Sequence, residues 1–182
     1  MTIVRSLSGW IVFAIVGAFA AEGWAALAAL VVSVISLWLG FRESRTAATV
    51  VIEIATTVFF AGLTVLLFAA PQLHPGVWVS VASQLWLAGT VGVTLAIGKP
   101  FTLAIAKREA PPEFANTPRF YAFNVTITRA WLISFLVAAI LLAGLAIAGV
   151  TNAWLTIPII VLAIAVPLAY TRRLVGELRV TR

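Results

Sequence analysis

AATVVIEIATTVFFAGLTVLLFAA, residues 47–70, carries one ionisable side chain, Glu53, in 24 positions. At 1.5 Å per helical residue such a run reaches about 36 Å, enough to cross the ~30 Å of hydrocarbon in a bilayer. Pro71 and Pro75-Gly76 close it with turn chemistry. If this stretch spans a membrane, its neighbours must be read as segments of the same kind.

Upstream, the apolar run 7–41 contains a single charge, Glu22, which stands beside Gly23. That is too long for one crossing, so two short helices over about 7–21 and 23–41 are expected, joined at Glu22-Gly23. Arg5 followed by the apolar run from Leu7 and the small residues Ala18 and Ala20 imitates a secretory signal. A second apolar run starts immediately afterwards, so the segment is read as a retained first helix. Downstream, a fourth helix is expected over 77–98, ended by Lys99-Pro100. Thr117-Pro118 has the form of a helix start, Thr as cap and Pro in the first turn. A fifth span then crosses by about 123–149 and a sixth over 153–170, with bends at Pro158 and Pro167.

Composition agrees. Hydrophobic residues make up 63% of the 182-residue chain and charged residues 10%; soluble domains are nearer half and a quarter, so a water-soluble fold is excluded. The 12 Lys and Arg outnumber 6 Asp and Glu, yet they stand at the ends of apolar runs, which is no nucleic-acid footprint. Arg5, then Arg42 and Arg45, then Lys99, Lys107, Arg108 and Arg119, then Arg172, Arg173, Arg179 and Arg182 alternate with three turns that hold no cation. This is the positive-inside pattern of six spans arranged as three hairpins, with both termini cytoplasmic. The expected fold is therefore an all-α polytopic transmembrane bundle, one domain over 1–182. Trp24, Trp78 and Trp154 follow the uncharged turns, and Trp10, Trp38 and Trp131 fall near the basic ends, as two aromatic belts.

Chemical motifs are scarce. The chain contains no Cys and no Asp, and a single His, His74. No thiolate site, no zinc or iron cluster and no cofactor is expected from that inventory, and no nucleophile elbow appears. Glu53 would lie about 9 Å inside a helix beginning near 47, where a carboxylate is costly unless paired or hydrated. Arg129 belongs to the same leaflet. The pair reads either as a structural bridge between the third and fifth helices or as an ion- or proton-coupled site, and the bridge is preferred because one carboxylate makes a poor relay. Gln84, with Ser83 and Thr90, could line a polar cavity, though helix-to-helix hydrogen bonding is commoner. Ala88, Gly92 and Ala96 form a small-residue stripe suited to close packing. Asn124-Val125-Thr126 matches a glycosylation sequon by chance.

The loop 99–119 is the densest functional candidate. Residues 100–109 are apolar and end in charge, suited to lying on anionic inner-leaflet headgroups, with Lys99, Phe101, Lys107, Arg108 and Arg119 as the contacting side chains. A docking surface for another membrane protein is the sharper reading.

The stretch from Ala28 to Phe68, with Ala-Ala-Leu-Val-Val, Gly40-Phe41-Arg42 and Phe60-Ala-Gly-Leu-Thr64, resembles the intracellular septation protein A family, small bacterial inner-membrane proteins. Lys99-Pro100, a proline-bearing loop and Phe123-Asn124 before a Trp-containing helix extend the likeness, although Trp131 lies about one helical turn farther along than that pattern has it. The resemblance implies an inner-membrane, non-enzymatic role in envelope maintenance or septation through contacts with other membrane proteins, and it supplies no catalytic residues. The rival expectation is a small-solute or ion channel or transporter.

Overall fold

The computed structural model describes residues 7–17, 19–43 and 50–180, leaving aside the side chains at 108, 109, 112 and 177–180. The regular structure among the described residues is all helical, with no strand among them. Among the described residues eight helices follow in order: α1 (Ser8–Gly17), α2 (Glu22–Arg42), α3 (Val51–Ala69), α4 (Val77–Ala96), α5 (Phe101–Glu109), α6 (Pro112–Ala115), α7 (Pro118–Ile147) and α8 (Ala153–Val180). Five of them, α2, α3, α4, α7 and α8, are long and apolar enough to cross a membrane. The chain is thus a multi-pass membrane protein by length and composition.

Six spans were expected, and the difference lies in α1. Its ten residues cover about 15 Å, half of the hydrocarbon thickness. The expected boundaries also shift elsewhere. α3 starts at Val51, not near 47, while residues 44–49 lie outside the described ones. α8 continues to Val180, ten residues beyond the expected end, and runs helical through both Pro158 and Pro167.

The chain divides into two compact units, Met1–His74 and Pro75–Arg182. In the first, α1 and α3 pack on α2, and α1 runs antiparallel to it. The Ser8 and Ser36 hydroxyls meet at 3.0 Å near one end, and a Cβ built on Gly17 would stand 3.7 Å from that of Ala25 at the other. α2 buries Ala25, Ala26, Ala29, Ser33, Ser36 and Gly40, while Val31, Ile35, Trp38 and Leu39 face outward. This reverses the water-soluble pattern. Lipid is as apolar as Leu, so large side chains gain nothing by turning inward, and small ones permit backbone approach. The closest approach is at Gly9, where an added Cβ would collide with Ser33 Oγ and sit 3.2 Å from Thr56 and 3.3 Å from Phe60. Trp10 then lies over Phe60 and Phe59 at 4.7 and 4.9 Å between ring centres and donates its indole N–H to Thr56 at 3.1 Å.

In the second unit α7 is central, with α4, α5 and α8 each packed on it. Its start is the one the sequence indicates: Thr117 Oγ1 accepts from the Phe120 N–H at 3.2 Å, with Pro118 in the first turn. α4 and α7 both end on a glycine in the left-handed region, Gly98 (φ 68°) and Gly149 (φ 69°). After each, the next N–H reaches back five residues, Lys99 to Thr94 and Val150 to Leu145, both at 2.9 Å, satisfying carbonyls that the helix end would orphan.

Two tryptophans expected in the belts are packed instead. Trp131 is 4% exposed, donating to Thr171 Oγ1 at 3.3 Å, and Trp10 belongs to the aromatic cluster of the first unit. Trp24, Trp78 and Trp154 are exposed, and Trp38 is exposed with the Arg42 guanidinium 4.7 Å over its ring.

Candidate functional site

Glu53 is 2% exposed, but its depth differs from expectation. Because α3 starts at Val51, the carboxylate stands in the first turn of the helix and not 9 Å inside it. A helix N-terminus carries partial positive charge from unsatisfied N–H groups, which favours an anion there by about 0.3–1 kcal/mol in exposed settings and more in partly buried ones. The location alone therefore lowers the cost that made Glu53 look functional. Its backbone carbonyl also accepts from Thr57 Oγ1 at 2.8 Å. Glu53 belongs to the first unit and Arg129 to the second, and Arg129 is exposed.

Gln84 is 3% exposed on α4, and its side-chain oxygen has no hydrogen-bond donor. The neighbours expected to share a polar cavity with it are occupied elsewhere. Ser83 Oγ donates to Ser80 O at 2.8 Å and Thr90 Oγ1 to Trp86 O at 2.9 Å, both back-bonds within α4. Of the small-residue stripe, Ala88 is buried and Gly92 stands where an added Cβ would meet Leu132 of α7 at 3.8 Å, whereas Ala96 is exposed.

The basic loop divides into two parts. α5 docks on α7 through its first residues: the Phe101 ring meets Trp131 edge-on at 6.2 Å, and the Thr102 hydroxyl donates to the Asn124 carbonyl at 3.1 Å and lies 2.8 Å from Thr128 Oγ1. The cationic side chains are at the periphery. Lys99 and Arg119 are exposed, and Lys107 is exposed with its ammonium 3.3 Å from Asn116 Oδ1. The Arg108 side chain lies outside the described ones.

Sequence reasoning noted Asn124 only in a sequon and in the family likeness, and passed over Ser134. Asn124 is 1% exposed, with its amide nitrogen donating to Phe120 O at 2.8 Å and its Oδ1 buried without a donor. The nitrogen that glycosylation would modify is therefore enclosed. Ser134 of α7 donates to the Ala163 carbonyl of α8 at 3.0 Å. Ala163 precedes Pro167 by four residues, and Pro has no N–H, so this carbonyl has lost its partner within α8. An orphan carbonyl in hydrocarbon costs several kcal/mol, and the serine removes it. The signal was present in the sequence, since a Pro inside an apolar run predicts one carbonyl needing a foreign donor, but only packing identifies the donor.

Between α7 and α8 lies an open groove of about 710 Å³, lined almost wholly by apolar side chains, with Arg129 and Tyr170 at one end. It includes neither Glu53 nor Gln84. No family model matches this chain, and no curated protein or solved structure matches it.

Proposed function

We propose that the protein is a non-enzymatic factor of the inner (plasma) membrane that supports envelope maintenance or cell division through contacts with other membrane proteins. The reading rests on the likeness to the septation protein A family over Ala28 to Phe68. What favours it structurally is the kind of work those residues do. Gly40 is buried on the small-residue face of α2, and Phe60 is fully buried at the crossing with Gly9 and Trp10. They are packing residues, and a scaffold needs rigid packing more than it needs reactive groups.

In this reading the chain crosses six times with both termini cytoplasmic. The cations of Arg42, of Lys99 to Arg119, and of Arg172 and Arg173 fall on one side, and the cation-free turns 70–76 and 148–152 on the other. Loss of the gene is expected to disturb cell shape or tolerance of envelope stress; normal morphology and normal tolerance would overturn the assignment.

Buried Glu53 and the unsatisfied oxygen of Gln84 favour a second reading, a small-solute or ion channel or transporter. Flux into proteoliposomes that disappears in Glu53→Gln would establish it, and flux unaffected by that change would remove Glu53 from any pathway.

A further inference from the structure

The α7–α8 groove has a polarity that the roles above do not use. Ile133, Val137 and Leu141 of α7 face Leu162 and Val166 of α8 along its length. From Thr126 to Leu141 it extends about 22 Å at 1.5 Å per residue, longer than the ~15 Å of one hydrocarbon leaflet. At one end stands Arg129, exposed, with Tyr170 beside it across the groove. Among the described residues that line it, none is acidic. The Trp131–Thr171 hydrogen bond fixes this end of α7 next to the end of α8 that bears Arg172, so a second exposed cation lies close by.

We propose that this groove is a binding site for one anionic phospholipid, its acyl chain lying between α7 and α8 and its phosphate at Arg129 and Tyr170. A guanidinium offers paired donors in a fork that fits phosphate oxygens, and a phenol adds one more donor. Ser134, the one hydroxyl deep in the groove, donates to Ala163 O, so the apolar part presents no unspent donor and accepts a chain of methylenes. A helix of a second protein copy would fill the same volume, but it would leave Arg129 without an anion in a low-dielectric setting. Charge complementarity therefore selects the lipid.

Native mass spectrometry of the full chain, released from micelles doped with phosphatidylglycerol or phosphatidylcholine, tests this. One phosphatidylglycerol should be retained preferentially. Arg129→Gln should lower that retention about fivefold, the worth of one cation at an anionic surface, while Arg129→Lys keeps most of it. Val137→Trp, at an exposed groove position, should displace both lipids by filling the channel. Equal retention of the two lipids by the native chain, or unchanged phosphatidylglycerol retention in Arg129→Gln and Val137→Trp, would overturn the site. The chain lacks cysteine, so efficient disulfide cross-linking between two copies of Val137→Cys in a phosphatidylglycerol bilayer would also overturn it, by giving the groove to a protein partner.

Discussion

At the residue scale, the bond between Ser134 and Ala163 makes a clean double-mutant cycle possible. Ser134→Ala leaves the Ala163 carbonyl without a donor and should destabilise the protein by about 1–2 kcal/mol, the range for interhelical hydrogen bonds in membranes. In a Pro167→Ala background the helix regains its own N–H at that position, so the same serine change should cost little. Thermal unfolding in detergent of the four variants gives the coupling; a serine effect that is equal in both backgrounds would show that the hydroxyl acts by other means. Gly9 supplies a second case. Gly9→Ala should destabilise by about 1–3 kcal/mol through overpacking against Ser33, Thr56 and Phe60, whereas Gly17→Ala, where the nearest atom is at ordinary contact distance, should be nearly neutral. Similar unfolding temperatures for the two would contradict the tight crossing.

At the scale of elements, the helix stops and starts were readable because they depend on local chemistry. Thr117-Pro118 is a cap whatever surrounds it, and Gly98-Lys99-Pro100 ends α4 because glycine takes the left-handed conformation and proline cannot continue the helix. Apolar runs likewise announced five of the spans. What escaped the sequence depends on neighbours. Hydropathy could not fix the length of α1, since apolar composition continues through the turn after Gly17. The small-residue face of α2 went unnoticed, and the stripe singled out on α4 is only partly a contact, because helical spacing shows that residues share a face and not what that face meets. Trp131 was assigned to the surface for the same reason. α5 offers a test at this level. Thr102→Val removes its hydroxyl contacts with Asn124 and Thr128, and amide hydrogen exchange in α5 should accelerate relative to that in α7; unchanged protection would mean that Phe101 and its neighbours hold the helix unaided.

For the molecule as a whole, the candidate site was less legible than the fold. Glu53 attracts attention as a lone carboxylate in an apolar run, but the position of the helix start decides its cost, and that start is four residues later than the run suggests. The groove with Arg129 was invisible, being made by two helices whose facing residues no single-helix pattern pairs. Topology is open to direct measurement. In the cysteine-free chain, Lys107→Cys should react with an impermeant maleimide only after the cytoplasmic face is opened, and His74→Cys should react in intact cells whose outer barrier is permeabilised. The reverse pattern would invert the orientation inferred from the cations.

α7 is 30 residues long, so about 45 Å from end to end, against ~30 Å of hydrocarbon. Its first turns hold Asn124 and Thr128, whose hydrogen bonds run to Phe120 and Thr102. A rod with this surplus can lean to keep its apolar length within the hydrocarbon as bilayer thickness changes. Bilayer thickness should therefore alter the tilt of this protein more readily than its integrity.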